Sequence, residues 1–255
     1  ALHRLCCIMA VTVRIGRMRI QLSRCGGMAP AAQRESVVKG RSHCPVCGRT
    51  LSAAELIPCL SYLLQGGKCR GCGAKIPARD FWIEVLGGLC SCACAYAFGG
   101  ETAQAALAFA VLGILTVVAL MDMDTLEIYD RFPVLLFVCG IAAHILIPSL
   151  GIKSRLIGCV IVSVPMLLLA LIVPGGFGGG DIKLMFGAGF FLGAKLTVVA
   201  AFIGILLGGG FGALLLAQKK ANRKSQFAFG PFLCIGIAIA MFFGETIADW
   251  YMGLL

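Results

Sequence analysis

Long apolar stretches, separated by short and often basic connections, are the feature of this sequence that most constrains its fold. Only 13% of the 255 residues are charged, roughly half the fraction found in an average soluble domain. About 20 apolar residues cross the hydrocarbon core of a bilayer as a helix, because a helix satisfies its own backbone hydrogen bonds there. The sequence therefore predicts an all-α polytopic membrane protein. About seven transmembrane helices are expected, near residues 82–98, 103–121, 132–148, 156–174, 182–194, 196–217 and 227–244. The stretch at 182–194 is rich in glycine and too short to cross easily, so a tilted or a re-entrant helix is the alternative there.

Lysine and arginine predict the orientation of these spans. They are frequent before residue 82 and between residues 218 and 226, whereas the connections of the opposite face hold only Lys153, Arg155 and Lys195. Positively charged connections stay in the cytoplasm, so Asp122 and Asp181 are both expected to emerge at the cytoplasmic face. The net charge of +10 is then a topology signal. The lipid bilayer is the expected partner, and no nucleic acid is expected.

Residues 1–33 are basic and hold only short apolar runs interrupted by arginine. No run is long enough to span a bilayer, and the arginines break the apolar core that a signal peptide needs. An interfacial basic segment and an incorrect start both remain open as interpretations. The expected organisation is an unassigned segment at 1–33, a cytoplasmic zinc domain at 34–81 and a transmembrane helical domain at 82–255.

Two Cys-x-x-Cys pairs lie in the expected cytoplasmic domain, Cys44 with Cys47 and Cys69 with Cys72. Four thiolates at this spacing suit tetrahedral zinc, and a glycine after each pair permits the tight turn that aims backbone amides at the sulfurs. Four sulfurs leave no coordination position open, so the zinc is expected to be structural and to supply folding free energy to a segment too small for a core. Disulfides or a redox pair are the alternative, which a cytoplasmic location disfavours.

Two acids, Asp122 and Asp181, each lie where an apolar stretch meets the expected cytoplasmic face. Placing a carboxylate there costs several kcal/mol unless something offsets it, so an acid in this position indicates a functional site. Two neighbouring carboxyl groups hold one proton between them: the ionised member can take a proton from water while the other hydrogen-bonds a scissile carbonyl. The pair predicts peptide hydrolysis at the membrane face.

The residues around Asp181 are expected to shape this site. Gly178 and Gly180 carry no side chain that would block an extended substrate, and they allow a positive φ that would aim Asp181 into the bundle. A flexible loop is the plainer interpretation of the same glycine run. Lys183 is expected either to tune Asp181 or to extend towards the lipid headgroups. Asp130 is expected to cap the helix that follows it.

Several motifs together resemble those of type IV prepilin peptidases. The cysteine region resembles their cytoplasmic domain, and the Gly178-x-Gly180-Asp181-x-Lys183-Leu184 and Met121-Asp122-Met123-Asp124 segments resemble their two aspartate motifs. Phe229-Gly230-Pro231-Phe232 is similar to their Phe-Gly-Pro motif. The resemblance runs from about Arg34 to the C-terminus. The family often has Ile-Pro-Asp where this chain has Ile128-Tyr129-Asp130, and it normally has a membrane span ahead of the cysteine domain, which is not evident here.

The resemblance implies a bifunctional enzyme of the bacterial cytoplasmic (inner) membrane with its active site facing the cytoplasm. Such enzymes cut the leader from prepilins or pseudopilins after a glycine, and many then methylate the new N-terminal amine with S-adenosylmethionine. The family's two catalytic aspartates correspond to Asp122 and Asp181, and its cysteine region is associated with methylating members. A nucleotide-binding glycine fingerprint is absent from the sequence, so the site of the methyl donor is unknown.

Two other functions remain as hypotheses. A transporter or channel would use Asp122 and Asp181 as ion or proton ligands near a broken helix, although the sequence shows no inverted repeat. A zinc-scaffolded membrane assembly factor without catalysis would tolerate loss of both aspartates but not of the cysteines.

Overall fold

The computed structural model divides the chain into two compact units, Ala1–Tyr96 and Ala97–Leu255. The basic N-terminal segment, residues 1–33, and the basic connection at 219–226 lie outside the described residues. Within the described part of the chain every regular element is a helix, and one isolated antiparallel bridge joins Lys68 to Lys75. The structure describes residues 44–99 except 45, 53, 54, 56 and 58, and residues 101–146, 150–173, 177–218 and 227–254.

The first unit holds the cysteine pairs, a short helix α1 (Leu60–Leu64) and a longer helix α2 (Ala78–Ala97). Among the described residues before α2, the buried side chains are those of Cys44, Glu55 and Cys69. Cys59, at the start of α1, has a φ of +59°, which is strained for a residue other than glycine. Its backbone N–H donates to Oε2 of Glu84 on α2 at 2.8 Å, and this hydrogen bond holds the strained turn in place.

The second unit is a bundle of apolar helices. Its helices in the described residues are α3 (Thr102–Thr125), α4 (Arg131–Leu146), α5 (Ile152–Ile161), α6 (Ser163–Ile172), α7 (Gly179–Leu192), α8 (Ala194–Ala217) and α9 (Gly230–Met252). In this part of the chain four segments are long and apolar enough to cross a bilayer: α3, α5 together with α6, α8 as far as Leu215, and α9. Helix α4 is apolar but shorter, as is α2 of the first unit from Phe81 onwards.

The all-helical membrane architecture agrees with the prediction, whereas the count of seven spans is not confirmed. Helices α4 and α7 have 16 and 14 residues, fewer than the roughly 20 that cross a bilayer without tilt or thinning. Apolar composition predicted a span at both places, and at residues 182–194 it left a tilted or re-entrant helix open. The lengths of the helices depend on where packing and turns end them, which composition does not report.

Helix α7 lies at the centre of the second unit. It packs against α4, α5, α6, α8 and α9, and most of its residues from Leu184 to Leu192 are buried. A helix that is apolar on all sides is typical of such a central position. Because 14 residues rise only about 21 Å, α7 is shorter than the roughly 30 Å hydrocarbon core of a bilayer. Asp181 lies in its first turn.

Glycines allow α7 to approach its neighbours closely. A Cβ atom on Gly189 would collide with the carbonyl oxygen of Gly158 on α5, and one on Gly187 would collide with the carbonyl oxygen of Pro133 on α4. Small residues at such contacts let helix backbones approach in membrane proteins. These two contacts determine how α7 lies between α4 and α5, and therefore where its N-terminus points.

Arg155 closes the other end of α7. Its side chain is fully buried, and its Nη1 donates to the carbonyl oxygens of Phe190 and Phe191 at 3.1 and 2.9 Å. The last carbonyls of a helix have no intrahelical partner, and a cation there complements the negative end of the helix dipole. The charge pattern predicts Arg155 in an outer connection, whereas the structure buries its side chain against α7.

Candidate active site and metal centre

The C-terminal end of α3 and the N-terminal ends of α7 and α9 meet in the second unit, and Asp122 and Asp181 lie at this meeting point. Each aspartate is only 6% exposed. Their carboxyl groups interact electrostatically with each other, and both interact with the thiol of Cys234 on α9. The structure thus brings together the two acids that the sequence analysis paired.

Asp122 lies in the last turn of α3. The helix ends at Thr125, and Leu126 follows in the left-handed conformation with its N–H bonded to the Asp122 carbonyl. The side-chain Oδ2 of Asp122 accepts a buried hydrogen bond of 2.8 Å from the backbone N–H of Gly230, the first residue of α9. A Cβ atom on Gly230 would lie 2.8 Å from the same oxygen, closer than van der Waals contact allows, so this approach requires glycine.

Asp181 is the third residue of α7. Its Oδ2 accepts a longer hydrogen bond of 3.3 Å from the backbone N–H of Gly178. Its Oδ1 is buried and has no hydrogen-bond partner within the described part of the chain. This oxygen is therefore the unpaired polar atom of the site, and a water molecule or a substrate group would satisfy it.

The two glycines before Asp181 do not have the conformation that was predicted. Gly178 has a φ of −72°, and Gly180 lies in the first turn of α7, so neither has a positive φ. Gly180 is instead needed for close packing, because a Cβ atom there would lie 2.7 Å from the Cβ of Ile128. The start of α7 is thereby held against the connection that follows Asp122.

Lys183 forms an ion pair with Asp130, with 2.6 Å between Nζ and Oδ1. Both side chains are more than half exposed. Asp130 directly precedes α4, as a capping residue would, and its carbonyl accepts the N–H of Val134 at 3.2 Å. The ion pair joins the first turn of α7 to the connection between α3 and α4, a contact that neither predicted role of Lys183 included.

Gly230 and Cys234 are residues of this site that the sequence analysis did not assign to it. Cys234 lies one helical turn after Gly230 and is buried, but nothing in the pattern distinguished it from the other cysteines in apolar stretches. Gly230 had a usable signal. A glycine followed by Pro231 at the start of an apolar stretch indicates a helix N-terminus, and such an end carries backbone N–H groups without intrahelical partners.

A candidate metal centre lies in the first unit. Tetrahedral zinc with sulfur ligands at about 2.3 Å requires sulfur–sulfur distances of about 3.8 Å. The Cys44 and Cys72 sulfurs lie 3.8 Å apart, which is the separation that such a site requires. The four Sγ atoms that lie within 4.8 Å of one another belong to Cys44, Cys47, Cys69 and Cys72.

Each of the two cysteine pairs forms the same kind of backbone turn. The N–H of Gly48 donates to the Cys44 carbonyl and the N–H of Gly73 to the Cys69 carbonyl, both at 2.9 Å. Gly48 and Gly73 have φ values of +69° and +71°, a conformation that favours glycine. The predicted glycine turns are present in both pairs.

Backbone amides favour thiolates in this cluster. The N–H groups of Cys47 and Val46 lower the pKa of the Cys44 thiol to about 6. The N–H of Ala74 acts in the same sense on Cys72, but burial and the neighbouring thiols outweigh it and raise the pKa of Cys72 to about 11. This division is expected of four thiols that cannot all ionise together without a cation.

A buried acid supports the first cysteine turn. Both carboxylate oxygens of Glu55 accept hydrogen bonds from Nη2 of Arg49, at 2.7 and 2.9 Å, and Oε2 also accepts from the N–H and hydroxyl of Ser52. Hydrogen bonds from Ser52 and the charge of Arg49 lower the pKa of Glu55. A Cβ atom on Gly71 would lie 3.1 Å from Cδ of Arg49, so Arg49 extends from the first cysteine pair to the second.

Curated relatives with similar sequences cover most of the chain. It is 32% identical over 221 residues to the prepilin leader peptidase/N-methyltransferase of Bacillus subtilis, which covers 85% of this chain and 87% of the relative. It is 31% identical over 230 residues to the protein of the same name from Aeromonas salmonicida, covering 88% and 78%. The corresponding protein of Pseudomonas aeruginosa is 29% identical over 222 residues, covering 85% and 76%.

Family comparison divides the chain in two. Residues 5–98 match the bacterial peptidase A24 N-terminal domain, and residues 109–213 match the type IV leader peptidase family. No solved structure matches the chain. The first match contains the cysteine cluster and the second contains both buried aspartates. The similarity in both regions shows that the chain belongs to the type IV leader peptidase family.

Proposed function

We propose that this protein is an aspartic endopeptidase of the bacterial inner membrane that cleaves the leader of type IV prepilins or pseudopilins. Cleavage follows a glycine at the cytoplasmic face, with Asp122 and Asp181 as the catalytic pair. The observation that carries the proposal is the meeting of these two buried, interacting carboxyl groups at three helix ends. Relatives that carry the prepilin peptidase name provide the substrate class.

The chemistry needs one water molecule and one shared proton. The ionised carboxylate takes a proton from water as the water oxygen attacks the scissile carbonyl carbon, while the protonated carboxyl group hydrogen-bonds the carbonyl oxygen. The tetrahedral intermediate then loses its amine, which receives a proton, and a carboxylic acid and a free N-terminus result. The unpaired Oδ1 of Asp181 is a suitable contact for the water or the carbonyl oxygen.

The substrate class fits the surroundings of the site. A prepilin is an apolar helix with a short basic leader, so its helix can pack against the bundle in lipid while the leader reaches the membrane face. The connection after Asp122 carries Glu127 and Asp130, both exposed. Acids at this edge would attract a basic leader. Gly178, Gly180 and Lys183 shape the site through the contacts described above.

The metal and the second activity are the remaining parts of the proposal. Zinc bound by Cys44, Cys47, Cys69 and Cys72 would be structural, because four sulfurs complete its coordination. Methylation of the new N-terminus by S-adenosylmethionine rests on the name of the relatives, and no residue is assigned to the methyl donor. In that step the amine nitrogen bonds to the methyl carbon, the carbon–sulfur bond breaks, and the amine loses a proton.

Mass spectrometry of a prepilin incubated with the purified protein and methyl donor tests both activities, because it reports the cut position and any added methyl group. Asp122→Asn and Asp181→Asn are each expected to lower cleavage by about 10²-fold or more. Asp249→Asn is the matched control, since Asp249 pairs with Lys195 near the far end of α9. Cleavage retained in either site variant would remove that residue from the mechanism.

Family membership does not favour the transporter alternative. Proton flux in liposomes without any prepilin cleavage would revive it. A non-catalytic assembly factor would be indicated by full function in the Asp122→Asn/Asp181→Asn double variant together with loss of function in Cys69→Ser.

A further inference from the structure

The two carboxyl groups of the site receive different hydrogen bonds. Asp122 Oδ2 accepts a short, buried bond of 2.8 Å from the first N–H of a different helix, α9. Among the described residues, Asp181 Oδ2 accepts a bond of 3.3 Å from Gly178, directly before its own helix, which is beyond the usual range for N–H···O. This asymmetry lets us distinguish the two members of the proposed catalytic pair.

A backbone N–H can donate a hydrogen bond but cannot accept one. It therefore stabilises an ionised carboxylate more than a protonated carboxyl group. Asp122 needs such help, because it lies in the last turn of α3, where the helix dipole disfavours negative charge. The N-terminus of α9 supplies a partial positive charge and a directed donor at this place.

Asp181 is in the opposite situation. Its position in the first turn of α7 favours a negative charge through the dipole of that helix. However, its Oδ1 is buried without a partner in the described residues. The free-energy cost of an ionised oxygen that is buried without a hydrogen bond exceeds the stabilisation that a helix dipole provides at its end. A proton on this oxygen gives it a donor that can bind water or a substrate carbonyl.

We infer that the α9 N-terminus, through the backbone N–H of Gly230, keeps Asp122 ionised as the general base, and that Asp181 carries the proton as the general acid. The inference rests on the proposed function and assigns a different role to each of the two aspartates. Gly230 is a positioning residue, because it acts through Asp122. Its lack of a side chain is required, since a Cβ atom would displace the carboxylate oxygen that it holds.

The first test is the pH profile of kcat/KM for leader cleavage by Gly230→Ala. The variant displaces the Asp122 carboxylate from its donor, so the acidic limb, where the base becomes protonated, is expected to move upwards by about one pH unit. A move of the alkaline limb alone would assign the proton to Asp122 and overturn the inference. Unmoved limbs would show that Gly230 has only a packing role, which also overturns it.

Two glycine variants are the controls for this profile. Gly208→Ala presses on the ring of Phe229, next to Gly230, whereas Gly209→Ala places its methyl group where no atom lies within 4 Å. Both are expected to leave the limbs in place. Asp181 and Cys234 interact with Asp122, and Asp124 lies two residues further along the chain. The profile is therefore repeated with Cys234→Ala and with Asp124→Asn, to show that neither group produces a limb.

An ester substrate provides a second test that does not require the Gly230→Ala variant to fold. Replacing the scissile N–H of a prepilin by oxygen gives an alcohol leaving group, which departs with far less need for an added proton than an amine does. Asp181→Asn is expected to cleave this ester at least about tenfold better, relative to the wild type, than it cleaves the amide. Asp122→Asn is expected to gain nothing, because the attacking water still needs a base.

The reverse pattern, with rescue of Asp122→Asn alone, would overturn the assignment, as would equal ratios in both variants. These outcomes are distinct from failure of the proposed function, in which the wild-type protein would cleave neither the amide nor the ester substrate.

Discussion

The two units of this protein are each stabilised internally by different interactions. In the first unit, order before α2 depends on a few specific polar and sulfur groups: four clustered thiols, two glycine turns and a buried Glu55 paired with Arg49. In the second, order depends on continuous apolar burial and on glycines that bring helix backbones together. Among the described residues, the segment before α2 thus has a ligand set that could hold a metal ion and few buried apolar side chains, whereas the second unit depends on close packing.

The two units also contain different kinds of buried acid. Glu55 is fully satisfied by Arg49 and Ser52, as expected of a carboxylate with a structural role. Asp181 keeps an unpaired oxygen inside an apolar bundle. A group left in this state carries a free-energy cost, and such costs are concentrated at functional sites.

Metal removal is expected to have the largest effect, and to affect the first unit selectively. Structural zinc contributes on the order of 10 kcal/mol to the folding of small zinc domains, so a strong chelator or Cys69→Ser should unfold the segment before α2 and leave the second unit helical. Limited proteolysis together with circular dichroism would show this selective loss. Cys92→Ser is the control, because Cys92 is exposed and lies outside the cluster; equal protease sensitivity of the two variants would contradict the structural role.

Overpacking the centre of the bundle should cause the next largest loss of stability, and this loss is expected in the second unit. Gly189→Ala forces a methyl group against the Gly158 carbonyl and should destabilise the second unit by about 1–3 kcal/mol. Thermal unfolding in detergent measures this change. Gly209→Ala, which meets no atom within 4 Å, should leave the midpoint unchanged, and a comparable loss there would indicate a general intolerance of alanine rather than this contact.

Loss of the Glu55 charge should weaken the first unit by less than metal removal does. Because its pKa is lowered on folding, Glu55 contributes stability above the pKa of the unfolded chain, and the contribution disappears as the pH falls through the lowered pKa. Glu55→Gln should therefore lower the protease resistance of this unit at neutral pH and lose that difference in acid. Glu101→Gln, at an exposed site of the second unit, should have no such effect.

The smallest effect is expected for the ion pair of Lys183 with Asp130. Both side chains are exposed, and exposed pairs contribute at most about 1 kcal/mol. Lys183→Met should therefore barely change the thermal midpoint and should reduce leader cleavage by less than about tenfold. A loss as large as that of Asp181→Asn would instead give Lys183 a direct part in catalysis.

Local patterns were enough to predict the helical membrane class and the cluster of Cys44, Cys47, Cys69 and Cys72. They also singled out Asp122 and Asp181, which interact electrostatically in the structure; their catalytic role stays a prediction. Each of these predictions depends on spacing along the chain or on counting apolar stretches. The count of seven spans did not follow, because α4 and α7 end where turns and neighbouring helices end them. The prediction of a positive φ at Gly178 and Gly180 was wrong for a related reason. Gly180 is required by the close approach of Ile128, and the motif does not contain this contact.

The sequence by itself determined where the chain is apolar, where it carries thiols and where an acid lies at the end of an apolar stretch. Only the tertiary structure decided which groups meet. The Gly230 amide reaches Asp122 from another helix, and Arg155 closes the helix that carries Asp181. Such contacts join residues far apart in sequence, and they depend on how closely helix backbones approach, which is a property of packing and not of any single segment.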